Sequence, residues 1–402
     1  MDMLIRAKKI IDGTRANPLN NGAIAIEGRT IKEIGPQSEI KAVNGVEVIE
    51  ADDKTVIPGL IDCHCHFCEG YHSWTHNRYV PREVTKTVLR GVRNAQLCIK
   101  AGVLTVRDAG CGHTGIFEMR SAIESGRLLG PRLYVSGQAI AMTGGHGWSS
   151  ALEVDGPYET RKAVRDMLRW GADCIKFLAT GGAATQYEEI DQVQMTYDEL
   201  EAGVEEARKK KKRTFAHVGN PDGALLCVRA GVDSIDHGTI LNNAALNAMK
   251  NAGSFYVPTM YVYSGIATKG KDAGLSEWMV GKAKGVLDSH REAFQKAYRM
   301  GINIATGTDV GSDGMEKWGG RMGEGLLSEI ELMVKYGMTP MDAIRAATQM
   351  SARNIGIDQS VGTLERGRLA DLVIIDGDPL EDISKLRRVW RVVKEGKLVH
   401  EA

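Results

Sequence analysis

The chain has 402 residues, 43% hydrophobic and 25% charged. That is ordinary for a globular protein and long enough for a large domain plus a smaller one. Lysine plus arginine equal aspartate plus glutamate at 51 each, so net charge gives no argument for nucleic acid or an anionic membrane as partner. No run of ~18 apolar residues offers a transmembrane helix, and the opening MDMLIRAKKIIDG lacks the apolar stretch of a signal peptide. Seven cysteines scattered between positions 63 and 227 suit reduced thiols in a cytoplasmic enzyme rather than a disulfide framework.

In chain order, residues 1–57 read as short strands broken by Gly, Asn and Asp turns: MLIRAKKII, GAIAIEGRTIKEIG and VEVIEADDKTVI. Residues 360–402 have the same texture in GTLERGRLADLVIIDG and WRVVKEGKLVHEA. The two ends are expected to pair into one composite β-sandwich domain. Between them, residues 58–359 repeat a unit in which a helical stretch leads into a short apolar strand that finishes in polar residues. The strands are VIPGLIDCHCHF, VLTVRDAG, RLYVSGQAI, DCIKFLATGG, RTFAHVGN, VDSIDHGT, SFYVPTMYV and INIATGTDVG. Amphipathic segments such as ETRKAVRDMLRWG and TYDELEAGVEEARKK lie between them. Strands alternating with helices form a parallel sheet, and eight such units predict an α/β fold closed as a (β/α)8 TIM barrel. The alternative, an open doubly wound sheet, calls for a Gly-rich phosphate turn after the first strand, and none stands there.

Side chains at the C-terminal ends of barrel strands converge on one face. The polar residues at those ends are His64 and His66 (strand one), Lys176 (four), His217 (five), His237 (six) and Asp309 (eight). Period-two spacing turns both imidazoles of His64-Cys65-His66 to one side, and two neutral imidazoles with a carboxylate suit Zn²⁺ or a related ion. Cys63 and Cys65 then face the opposite way, as small wall residues against the helices. Lys176, between Ile175 and Phe177, is expensive to bury as an ammonium. It reads either as half of a buried ion pair or as a carbamate formed with CO₂. Asp309 could equally cap a following helix. His146, in MTGGHGW, is placed either to hydrogen-bond a substrate carbonyl or its oxyanion or to anchor its loop. The run Arg208–Arg213 reads as a solvated helix C-terminus.

These six residues, in this order, with VIPGLIDCHCHF ahead of the HxH pair and VGTLERGRLADLVIID near the end, resemble the amidohydrolase superfamily over nearly the whole chain. GPRLYVSGQAIAMTGGHGW and YVPT resemble its prolidase-type branch, which contains Xaa-Pro and Xaa-Arg dipeptidases and hydrolases of xenobiotic amides, ureas and carbamates. The resemblance implies a binuclear metal site, with zinc the expected ion. His64, His66 and Asp309 would hold the more buried ion, and His217 and His237 the other. N6-carboxylated Lys176 and a hydroxide would bridge them. Asp309 would shuttle the proton, with His146 assisting at the carbonyl. A small-molecule substrate, a homo-oligomer and a cytoplasmic location are expected, with neither nucleic acid nor membrane as partner.

Dipeptidase relatives often carry a substrate-holding tyrosine shortly after the strand-five histidine, where this chain has Gly219 and Asn220. Substrate contacts are expected from loop 68–82, with Tyr71, Trp74, Arg78 and Tyr79, and loop 311–325, with Trp318 and Arg321; Tyr71, Arg78, Trp318 and Arg321 are the candidates. His72 and His76 fall in the first of these loops. A mononuclear deaminase of the same superfamily would lack the strand-four lysine and carry a glutamate soon after His217, where His217-Val218-Gly219-Asn220 has none. A non-catalytic scaffold would have lost ligands, and all six are present.

Overall fold

The computed structural model describes residues 1–68, 81–311 and 313–402. Four strands open the chain: β1 (Met3–Ile10), β2 (Leu19–Glu27), β3 (Thr30–Pro36) and β4 (Glu47–Pro58). Only Gly59 separates β4 from the first barrel strand, β5 (Leu60–Cys65). Then follow β6 (Val103–Asp108), β7 (Arg132–Val135), two short strands β8 (Ile140–Ala141) and β9 (Leu152–Glu153), β10 (Cys174–Leu178), β11 (Arg213–Val218), β12 (Ser234–His237), β13 (Phe255–Val257) and β14 (Asn303–Ile304). The chain closes with β15 (Leu372–Ile375), β16 (Val389–Lys394) and β17 (Lys397–Glu401).

The two ends meet in one seven-stranded sheet, ordered β17-β16-β15-β4-β1-β2-β3. Its pairings are antiparallel except β1 beside β4. Alternate residues of β1 and β2 supply Ile5, Ile24 and Ile26 to a core completed by Val56, Leu372 and Ile374, the period-two burial that fixes register.

The middle of the chain is the expected parallel barrel. β5, β6 and β7 form one sheet, and β14-β13-β12-β11-β10-β8-β9 form a second. Backbone bonds close both seams: Asp173 N–H donates to Val135 O at 2.8 Å, and Cys63 N–H to Thr306 O at 2.8 Å. Two expected strands are shorter than their sequences suggest. RLYVSGQAI divides into β7 and β8 around residues 136–139, and only Asn303–Ile304 of INIATGTDVG pairs in the ladder. Beyond it the chain stays beside β5 without regular pairing: Asp309 has φ +57°, a left-handed conformation that cannot continue a pleat, and Val310 meets Cys65 as an isolated parallel bridge.

Helices cover the outside. α1 (Pro81–Lys100) and α2 (Gly115–Glu124) precede α3 (Pro157–Arg169) and α4 (Tyr197–Lys209). α3 buries Thr160, Ala163, Val164 and Met167, the spacing of one helical face. α4 starts at a capping box formed by Thr196 and Glu199. α5 (Pro221–Ala230), α6 (Asn243–Ala252), α7 (Met260–Lys269), α8 (Glu277–Met300) and α9 (Glu324–Lys335) follow. Among the described residues no helix is long and apolar enough to cross a membrane.

Candidate active site

Asp62, His64 and His66 share the inward side of β5, and the chain around Asp309 is stitched to them. Asp62 accepts from His64 N–H at 3.1 Å, from Thr308 N–H at 3.1 Å and from the Thr308 hydroxyl at 2.7 Å. Asp309 N–H donates to His64 O at 2.6 Å. Gly307 permits this approach, since a Cβ there would sit 2.7 Å from His64 Cβ. The result is a tight donor set. His66 Nε2 lies 3.1 Å and His64 Nε2 3.4 Å from Asp309 Oδ1. One ligand atom from each of His64, His66 and Asp309 falls within 4.8 Å of the others, a set able to hold a divalent ion. Burial would raise the Asp309 carboxyl, but contacts with His64, His66 and His237 hold it well below the usual carboxylate range.

β10, β11 and β12 bring up the other side. Register pairs Leu178 with His217 and Val218 with His237, so the two histidines stand at neighbouring strand ends. Their ring centroids are 4.4 Å apart, and the His237 ring lies 4.7 Å from that of His64. His217 Nε2 meets Gly181 O at 3.1 Å, and His237 Nδ1 meets Thr259 Oγ1 at 2.7 Å. Burial and nearby positive or imidazole groups (His146 and Lys176 for His217, His217 and His64 for His237) hold both rings well below the usual histidine range. They are therefore neutral, with lone pairs available. His237 itself has φ +70°; backbone strain of this kind clusters at functional sites.

Lys176 is 1% exposed, and among the described residues its Nζ has no hydrogen-bond partner. It lies 4.9 Å above the Phe215 ring. Burial lowers it to about 8, against the opposing pull of Asp236 and Asp309. An amine so placed is a ready nucleophile toward CO₂. The ion-pair alternative is not realised: neither Asp236 nor Asp309 forms a salt bridge with Lys176.

Over this cluster sits His146, its ring 4.2 Å from that of His217 and nearly parallel to it. Its Nδ1 meets Glu188 Oε1 at 2.5 Å. Glu188 also accepts from Gly182 N–H and the Gln194 amide, while Lys282 of α8 donates to the Glu188 carbonyl. His146 and the cluster beneath it open on one cavity of about 230 Å³. Its wall opposite the histidines is apolar, made by Val262, Ile266, Leu275, Met279, Met315 and Trp318.

The structure thus gathers His64, His66, Lys176, His217, His237, Asp309 and His146 around one cavity. Asp309 does not act as a helix cap. Trp318 lines the cavity as expected, but Arg321 is exposed and does not line it. The 3-10 turn Asp313–Trp318 buries the tryptophan, while Gly319 and Arg321 just after it are exposed. Tyr71, Trp74, Arg78 and Tyr79, with His72 and His76, lie outside the described residues. Asn220 is the buried N-cap of α5, accepting from Gly223 N–H at 2.8 Å. Cys63 and Cys65 are fully buried on the helix side.

Sequence reasoning missed Arg107, Asp236, Glu188 and Tyr263, whose ring lines the cavity 6.0 Å from that of His237. Alternation would have turned Asp236 away from its neighbour His237. The positive φ at His237 breaks alternation, so both reach the site. Only the charges in VRDAG and SIDHG, buried in otherwise apolar strands, could have signalled the first two.

Residues 55–399 match the model of the Amidohydrolase family. An ochratoxinase from Aspergillus niger is 31% identical over 98% of this chain and 86% of its own length. A Xaa-Pro dipeptidase solved with methionine in its active site has a TM-score of 0.90 at 34% identity, with both chains covered completely. A prolidase complexed with N-methylphosphonate-L-proline has a TM-score of 0.91 at 29% identity, again over the full length of both. With its barrel, its strand-end donors and this match over nearly its full length, the chain belongs to the amidohydrolase family.

Proposed function

We propose that the chain performs its family's hydrolysis of an amide-type C–N bond with two divalent ions, best suited to zinc, at the barrel mouth. The carrying observation is the donor set of His64, His66 and Asp309 beside two neutral imidazoles and a buried amine unpartnered among the described residues. The residues fit the ions. His64, His66 and Asp309 would hold one, and His217 and His237 the other. Lys176 Nζ would add CO₂ and release a proton, becoming an anionic carbamate that offers oxygens to both. When bound, such ions lower the pKa of water and polarise a carbonyl.

The chain's own groups do the rest. Asp309 accepts the proton of the attacking water and returns it to the leaving nitrogen, because an amine anion is too poor a leaving group to depart unprotonated. His146, held through Nδ1 by Glu188, keeps Nε2 for the cavity, placed to hydrogen-bond the substrate carbonyl or its oxyanion. Trp318 and the apolar wall receive the non-reacting part of the substrate, with Tyr71 and Arg78 as further candidate contacts. The similarity to a Xaa-Pro dipeptidase and a prolidase favours a dipeptide, and an N-acyl amino acid or a xenobiotic amide, urea or carbamate would present the same bond. A mononuclear deaminase remains the second reading, and no glutamate follows His217 to support it. We further propose a homo-oligomeric cytoplasmic enzyme with residues 1–57 and 360–402 as one β-sandwich unit.

The test is a panel of N-acyl amino acids, dipeptides, ureas and carbamates assayed with zinc-loaded protein. Asp309→Asn should retain part of the metal and lose about 10²–10⁴-fold in kcat. Near-normal turnover in that variant rules out the proton-shuttle role, and no cleavage across the panel by well-loaded protein rules out the activity.

A further inference from the structure

We propose that Arg107 and Asp236 form a buried relay that fixes the His64 ring as a metal ligand. The proposal rests on the metal-site reading above. Arg107 on β6 is 2% exposed and Asp236 on β12 is fully buried. The arginine spans the barrel interior from the second strand to the sixth. Such interiors are ordinarily filled with branched apolar side chains. Its Nε donates to Cys63 O at 2.5 Å and its Nη2 to Asp236 Oδ2 at 2.9 Å, with the guanidinium carbon 3.8 Å over the Phe215 ring. Ser234 Oγ donates to Asp236 Oδ1 at 2.6 Å.

A buried ion pair is poorly explained by stability, because desolvation offsets the attraction and an apolar pair of similar volume does as well or better. What this pair touches explains it. Asp236 Oδ2 also meets His64 Nδ1 at 2.7 Å. A carboxylate can only accept, so Nδ1 must carry the hydrogen. That aims Nε2 at Asp309 Oδ1, 3.4 Å away. Nε2 and this oxygen can share only a proton or a metal cation. Arg107 supplies the countercharge that lets Asp236 hold the ring without a proton of its own. Both are positioning residues acting through His64.

The experiment uses metal-stripped full-length protein reloaded with zinc against a competing chelator. ¹⁵N-histidine NMR of the metal-free state reads the His64 tautomer. Asp236→Asn should weaken zinc binding about 10–100-fold. The double variant Arg107→Met/Asp236→Leu should weaken it at least as much, keep a melting temperature near that of the parent, and lose the Nδ1–H tautomer of His64. Unchanged zinc affinity in either variant that folds overturns the relay, as does an unchanged His64 tautomer in the double variant. Should the double variant fail to fold, the near-isosteric Asp236→Asn decides by affinity. Parent protein that takes up no zinc refutes the metal-site reading instead, and the tautomer comparison then decides the relay by itself.

Discussion

Replacing Lys176 with methionine should abolish activity and yet stabilise the metal-free protein. The lysine amine is buried without a hydrogen-bond partner among the described residues, and burial lowers it from 10.5 to about 8. At about 1.4 kcal/mol per pH unit, that fall is roughly 3 kcal/mol of instability in the folded state. The sign follows from proton counting. Below pH 8 the amine is charged in both states and the full penalty is present. Between pH 8 and 10.5 the unfolded chain binds the extra proton, so stability rises with pH. Methionine has a similar reach and packs on the Phe215 ring without a charge to desolvate. Metal-stripped Lys176→Met in CO₂-free buffer should therefore be more stable than its parent by roughly 3 kcal/mol at pH 7. The gap should close as the pH approaches 10.5. Equilibrium urea denaturation at both pH values measures this. Equal or lower stability of the variant at pH 7 would refute the reasoning, since it would mean that the ammonium is paired and structural.

Two other perturbations follow from the same geometry. A Cβ at Gly182 would sit 2.3 Å from His146 Cε1 and 2.7 Å from both ring nitrogens. Gly182→Ala should displace the imidazole and lower kcat/KM about 10²-fold with zinc content unchanged; an unaltered rate would leave His146 a loop anchor. Where α3 meets α4, hydrogen bonds from Arg165 and Lys209 hold the largely covered Glu206 at about 2 rather than 4.5. The benefit is complete above pH 4.5 and lost as pH falls toward 2. Glu206→Gln should cost about 0.5–1 kcal/mol at pH 7, with the deficit shrinking across that window in acid denaturation. A deficit independent of pH would assign the effect to packing.

The sequence by itself determined the local features. Alternation in MLIRAKKII and GAIAIEG specifies sheet, and strands alternating with amphipathic helices specify a parallel barrel, because each pattern reflects which face of an element is buried. It also identified the strand-end residues His64, His66, Lys176, His217, His237 and Asp309, since polar groups at the ends of apolar strands need a reason to be there. Tertiary structure decided what depends on backbone direction and on partners distant in the chain. The left-handed turn at His237 brings that ring inward beside Asp236 against alternation, and the ladder of the eighth strand stops at Ile304, ahead of the left-handed Asp309. Whether Lys176 is paired depends on Asp236 and Asp309, residues far along the chain whose distances no local pattern encodes. The burial of Trp318 and the exposure of Arg321, three residues apart, were likewise set by how one 3-10 turn packs against α7.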